Sequence, residues 1–394
     1  MRWVSEMKKL IVMVFIGIIF SITCFTESAF AIEREDNTTD KKVLEEIEKQ
    51  MDTYDFQQMD TFLNQNAEKP IRFVDVWKGL FQNNTKEQSK SIFQFLKKHI
   101  MGEINYQRGL LVKVAAIAVI SAVFSTFAIT FKNQQMNQTA FFVTYLMLSV
   151  TLIQTFRMME QIAQMLLERI CEFMNAFLPS FAIALGVSAG SQTAIGIYGI
   201  VLYAISIIQF IMLKVMLPMI ELYVLLSLIN CISKEDMFSR AVQLLETLIR
   251  WGNRTLFAAI IGINIVKNMI LPSVDFMKNS MAQKIVSVIP GVGDGVEGVT
   301  GIMLGTGKII KNTMGTAALI VLIFICIIPI IKILVCTFLY QLLSAVLQPI
   351  TDRRIQKAIH SISAGGTLLF QSMMMVVLLF VIAIAIACVA TNLT

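Results

Sequence analysis

Four short patterns in this chain have the residue types of known chemistry. Gly291-Val292-Gly293-Asp294 matches the GxGD of intramembrane aspartyl proteases. That reaction needs two carboxylates sharing a proton in one site. The nearest earlier acid, Asp275, sits in a polar stretch, and Glu221 is far off in sequence. Gly293-x-Gly295-x-x-Gly298 has dinucleotide-loop spacing but follows no expected strand. Gly307-Lys308 lacks the earlier glycine and the following Ser or Thr of a phosphate loop. Gly186-Val187-Ser188-Ala189-Gly190 has nucleophile-elbow spacing. An elbow needs a strand-to-helix turn and a histidine base, and the only histidines, His99 and His360, lie outside the strongly apolar runs. Each enzymatic template lacks its second requirement, so a non-enzymatic protein is expected.

What remains chemically notable is charge inside apolar sequence. Glu221, Lys267 and Lys332 fall within apolar runs. An unpaired charge at mid-bilayer costs roughly 2.5–3.5 kcal/mol on insertion scales. Glu221 and Lys332 each follow a proline by three residues, Pro218 and Pro329, which are themselves candidate hinges. They are expected to pair or to line one polar cavity. A second group lies in 288–315, VIPGVGDGVEGVTGIMLGTGKIIKNTMG, where seven glycines fall between Gly291 and Gly307. Pro290, Gly291, Gly293 and Gly295 are candidate hinges for a helix break or re-entrant turn. Asp294 is a candidate polar contact, and Lys308, Lys311 and Asn312 form a polar collar. The six cysteines include no CxxC or Cys/His cluster, so no metal or cofactor is expected.

The elements that must hold these residues are membrane helices. The chain has 394 residues, 56% hydrophobic and 15% charged, with mean hydropathy +0.70. Soluble domains carry about 25% charged residues, so an all-α integral membrane protein is expected. Residues 32–108 hold 14 acids and 12 bases, and 109–394 hold 11 and 18. The basic surplus therefore sits on membrane loops, where it sets orientation, and not on a nucleic-acid face.

Residues 1–31 read as a cleavable signal peptide: Arg2, Lys8 and Lys9, an apolar run Leu10–Phe20, then Ala29-Phe30-Ala31. Residues 32–108 read as an extracytoplasmic polar segment of short helices. From 109 to 394 the chain reads as a polytopic domain of seven to nine helices. Its candidate spans are 109–131, 139–156, 174–190, 193–213, 215–232, 255–271, 314–331, 333–349 and 366–390. Two linkers, 157–174 and 234–254, are amphipathic and are expected to lie in the interface plane. Lys234, Arg240, Arg250 and Arg254, and later Arg353, Arg354 and Lys357, each favour a cytoplasmic side. Nine spans would put the two groups on opposite sides; one span fewer or more removes the conflict. An internal echo links Pro218-Met219-Ile220-Glu221 to Pro329-Ile330-Ile331-Lys332, suggesting two similar halves at 193–272 and 312–390.

Two segments carry a family likeness. Leu304-Gly305-Thr306-Gly307-Lys308-Ile309-Ile310-Lys311-Asn312-Thr313-Met314-Gly315 is one. The other runs from Phe338-Leu339-Tyr340-Gln341 through Leu347-Gln348-Pro349-Ile350 to Arg353-Arg354-Ile355. With the leader and polytopic layout, they resemble stage III sporulation protein AE of endospore-forming bacteria. The resemblance implies a membrane component of the channel-like apparatus between mother cell and forespore, with a permease-like role. It implies partners among the other stage III proteins, including a secretion-type ATPase and ring-forming proteins, and indirectly a forespore membrane protein. It implies no catalytic residue. The alternatives are an autonomous secondary transporter, supported by the echo and the intramembrane charges, and an intramembrane hydrolase using Asp294 or Ser188.

Overall fold

A computed structural model describes residues 85–130, 134–189, 191–232, 237–259, 262 and 293–389. The signal peptide, residues 32–84, Lys234, Lys267, Asp275, Pro290 and Gly291 lie outside the described residues, as does most of the 255–271 span. Every regular element among the described residues is helical. They are α1 (Thr85–Thr130), α2 (Gln134–Ala189), α3 (Ser191–Ile211), a π-helical turn (Met212–Met216), α4 (Leu217–Ile232), α5 (239–259), α6 (Gly293–Leu347) and α7 (Arg353–Val389). Among the described residues, five stretches are long and apolar enough to cross a membrane: Ile100–Phe124, Phe141–Gly186, Tyr198–Ile232, Ile310–Leu347 and Arg353–Ala385.

Neighbouring expected spans have fused. Spans 139–156 and 174–190, with the linker between them, are one helix of 56 residues containing Pro179. Spans 314–331 and 333–349 are one helix of 55 residues that runs through Pro329. The glycine stretch from Gly293 is the start of that same helix, so no break occurs at Gly295. The physical reason is backbone satisfaction. Away from water an open N–H or C=O has no other partner, so helix persists through residues that would end it elsewhere. Pro218 shows how the strain is relieved. Its ring would crowd the carbonyl of residue 214. The turn just before it is π-helical, with the Leu217 N–H bonded to the Met212 carbonyl, and this wider turn makes room.

Residues 157–174 therefore do not lie flat. They form the middle of α2, with Met159, Ala163, Leu166 and Ile170 buried and Arg169 and Glu172 exposed. Phe141–Gly186 spans 46 residues, about 69 Å at 1.5 Å per residue. That is more than twice the ~30 Å hydrocarbon thickness, so part of α2 must stand outside it. The boundary expected at 108/109 is also absent. α1 passes through it without interruption, and its apolar stretch begins at Ile100. Glu103 and Gln107 are buried there, joined by a 2.9 Å hydrogen bond from Gln107 Nε2 to Glu103 Oε1.

The centre is made by α2, α6 and α7, with α1 on α2 and α6, α4 on α7, and α3 on α2. α7 is the most enclosed, with 67% of its span window buried against 22% for α1. Direction follows from individual contacts. Thr144 Oγ1 donates to Ser121 Oγ and Gln107 Nε2 reaches Met158 Sδ, so α1 and α2 are antiparallel. Ser344 bonds the Gln356 carbonyl and Thr337 abuts Gly366, so α6 and α7 are antiparallel. Tyr145 OH donates to the Leu228 carbonyl at 2.6 Å, tying the start of α2 to the end of α4. The starts of α2, α5 and α7 and the ends of α4 and α6 thus gather at one end. Arg240, Arg353, Arg354 and Lys357 gather there too, which we call the basic end. Of the first basic group Arg240 lies with Arg353, Arg354 and Lys357, whereas Arg250 lies farther along α5, beside Gln371.

Tyr340 and Thr155, both fully buried, share a 2.7 Å hydrogen bond between α6 and α2. Thr155 gives its one proton to the Thr151 carbonyl, so Tyr340 is the donor. Tyr340→Phe should cost about 1 kcal/mol, since Thr155 keeps a partner. A thermal midpoint in detergent checks this, and Tyr340→Ala should fall much further because it leaves a cavity.

Candidate functional site

Near the basic end, α4, α5 and α7 enclose a cleft with a volume of about 460 Å³. Tyr223, Ser227 and Asn230 line it from α4, Gln243, Glu246 and Arg250 from α5, and Lys357, His360, Ser361 and Ser363 from α7. Its walls are set by local signals. The Asn230 side chain accepts the Phe238 N–H at 2.8 Å, holding the connection from α4 to α5. Asp352 Oδ1 accepts the Arg354 N–H at 2.9 Å, the geometry of a helix N-cap, and this starts α7. The Arg354 guanidinium lies 3.6 Å from the centroid of the Phe141 ring, a cation–π contact that pins the same corner to α2.

Two charges of α5 are held against α7. Arg250 donates through Nε and Nη2 to Glu246 Oε1, at 3.0 and 2.9 Å, and through Nη1 to Gln371 Oε1 at 2.7 Å. Asn253 donates to Ser372 at 2.7 Å, and Ser227 and Ser361 share a 2.6 Å bond between α4 and α7. These contacts run α5 along α7 rather than across the interface plane. The Glu246–Arg250 pair packs on α7, and Val242, Leu245 and Ile249 pack into the bundle as well, while Leu248, Arg240 and Arg254 are exposed.

The expected site residues are not one constellation. The ion pair of Glu221 is with Arg157 of α2, at 3.5 Å, and none joins it to Lys332. α4 packs chiefly on α7, whereas α6 packs on α2 and α7, so equivalent places in the echo do not meet. Lys332 is half-buried on α6. Lys311 is fully buried, turned into the bundle rather than forming an outer collar. Asn312 is half-buried, and its Oδ1 is enclosed without a hydrogen-bond partner. Asp294 and Lys308 lie on α6, but their side chains are outside the described part. Ser188 lies on helix α2, where no strand-to-helix elbow exists. Cys171, Cys231, Cys326 and Cys336 are buried and form no disulfide, in keeping with packing roles.

Two features escaped the sequence reading. One is the cleft. The other is Gly365-Gly366 on α7, pressed against Val224 and Phe156 on one side and Thr337 and Met159 on the other. A signal for the second existed. Ser361, Ser363, Ala364, Gly365, Gly366 and Thr367 form a run of small residues at the head of the last span, the composition that lets membrane helices approach closely.

The comparisons with known proteins agree with the residues that carried the likeness. A family model for stage III sporulation protein AE matches residues 71–391. Stage III sporulation protein AE of Bacillus subtilis (strain 168) is 21% identical over 310 residues, covering 78% of this chain and 77% of that protein. No solved structure matches. The match reaches from within the polar N-terminal segment through α1 to α7, including the cleft and the glycine pair, and the chain belongs to the stage III sporulation protein AE family.

Proposed function

We propose that this chain is a multi-pass membrane component of the apparatus joining mother cell and forespore during endospore development, with a permease-like core. Family membership carries the reading, and the cleft supports it. A permease-like part needs a polar chamber among apolar helices, and such chambers are otherwise costly to keep. By the positive-inside rule the basic end faces the mother-cell cytoplasm. α1 then starts on the outer side, where a cleaved leader would deliver the preceding segment. The membrane is the outer forespore membrane. The partners are the other stage III membrane proteins, including a secretion-type ATPase and ring-forming proteins, and indirectly a forespore membrane protein.

Deletion of the gene should leave vegetative growth intact and arrest sporulation with small or collapsed forespores and little late forespore gene expression, scored by fluorescence microscopy. Normal forespores with normal late expression would remove the proposal. Solute flux through the purified chain in liposomes, without partners, would point to an autonomous transporter instead.

A further inference from the structure

We propose that α4 is the moving wall of the cleft: it swings about the π-helical turn at Met212–Met216 and so opens and closes the chamber between α4, α5 and α7. The chamber is shut at its floor. It holds about 460 Å³, yet Ser361 and Ser363, which line it from α7, are 5% and 1% exposed. A solute reaches them only if a wall moves.

α4 is the wall built to move. The turn before it is π-helical, with the Leu217 N–H bonded to the Met212 carbonyl, and Pro218 brings no N–H to the next rung. A helix bends most readily where its ladder is interrupted, and single π-turns are frequent at functional sites. The two sides of the turn belong to different neighbours, α3 to α2 and α4 chiefly to α7, so α4 can shift while α3 stays in place. The pivot is soft as well. The thioether end of Met216 fills the space over Gly252 of α5, and methionine adapts to small movements. α5 is the fixed side, because the Arg250–Gln371 and Asn253–Ser372 bonds tie it to α7.

At its far end α4 is held by two latches. Ser361 gives its proton to the Lys357 carbonyl, so Ser227 is the donor in the 2.6 Å Ser227–Ser361 bond. Tyr145 OH donates to the Leu228 carbonyl, also at 2.6 Å. Both are single neutral hydrogen bonds, each of modest net strength. α4 has 16 residues and is therefore about 24 Å long. A rotation of about 10° at the π-turn carries its far end about 4 Å, enough to uncover the floor.

The test uses the full chain purified in detergent, with its native cysteines kept and Ser363→Cys as the reporter. N-ethylmaleimide labelling is read peptide by peptide by mass spectrometry. Ser227→Ala and Tyr145→Phe should each speed labelling at position 363 about fivefold. Pro218→Ala, which returns an N–H to the ladder, should slow it. Oxidising Ser227→Cys with Ser361→Cys to a disulfide should slow it about tenfold or more, because the wall is then pinned. Two controls separate a moving wall from general loosening. Tyr340→Phe breaks a buried hydrogen bond between α6 and α2 and should leave the rate at 363 unchanged. Cys326, buried on α6, should label at one slow rate in every variant, which also shows that each variant is folded. The proposal is overturned if folded Ser227→Ala and Tyr145→Phe label like the parent, or if Tyr340→Phe speeds labelling as much as they do. It is equally overturned if the disulfide leaves the rate unchanged or if Pro218→Ala labels as fast as the parent. The inference goes beyond the assembly role, and because it is read on purified protein its failure leaves that role standing.

Discussion

Gly366→Ala and Gly365→Ala should each destabilise the protein by about 2–3 kcal/mol, although the same change in an open helix stabilises by about 1 kcal/mol. A Cβ on Gly365 would run into Val224 Cγ2 and lie 3.0 Å from Phe156 Cε2. A Cβ on Gly366 would run into Thr337 Oγ1 and lie 3.3 Å from both Met159 Sδ and Thr337 Cβ. Val and Thr are β-branched and stiff at χ1, so they cannot swing aside. α7 would have to back away from α4 and α2 in one case and from α6 in the other. The cleft, the Asn253–Ser372 bond and the Arg250–Gln371 bond all depend on where α7 sits. Size-exclusion profiles after heating should therefore show Gly365→Ala and Gly366→Ala lost first. Gly102→Ala and Gly199→Ala, where nothing lies within 4 Å of the new methyl, should equal or exceed the parent. Gly252→Ala should fall between, because the atom it meets is the flexible end of Met216. If Gly366→Ala melts with the parent, the close packing of α6 on α7 is wrong.

Reversing the charge at Glu221 should be the second large effect. Glu221→Lys would set a cation beside Arg157, a 3.5 Å partner in the parent. A single misplaced charge within a span costs roughly 2.5–3.5 kcal/mol on insertion scales, and like-charge repulsion adds to it. Glu160 lies in the same electrostatic neighbourhood as Glu221 and Arg157, so the group is a small network and not an isolated pair. Most of the accumulated protein should be lost. Arg157→Glu in the same chain should restore it, whereas Lys332→Glu should not. Rescue by Lys332→Glu alone would mean that α4 meets α6 after all, contrary to the packing seen here. The side chain of Arg157 is 67% exposed and that of Glu221 30%, so the pair sits on the outer surface of α2 and α4.

Much of the architecture was legible because it rests on local, additive properties. Apolar runs of membrane length follow from composition, and each secure run became part of a helix. The two segments that carried the family likeness, in α6 and at its junction with α7, lie inside the matched region. The prolines misled, because their effect depends on surroundings. Pro329 was read as a candidate hinge, and it lies inside a continuous helix. Gly295 was read the same way and lies inside that helix too. Propensity scales describe a chain with water as its alternative partner, and a buried helix has no such alternative.

The amphipathic linkers show where local reading stops. A periodic pattern defines two faces but not what each packs against. For α5 the polar partners are Gln371 and Ser372, which lie 121 and 119 residues away from Arg250 and Asn253. The same holds for Glu221, whose echo position pointed to Lys332 while packing supplied Arg157. By itself, then, the sequence determined an all-helical chain, its apolar spans, its basic loops and its family, since each depends on residues close together along the chain. Only the tertiary structure decided that Arg240 shares one end with Arg353 and Arg354, that a polar cleft lies between α4, α5 and α7, and that Gly365-Gly366 is a tight contact. Those depend on contacts between separate helices, which no local pattern encodes.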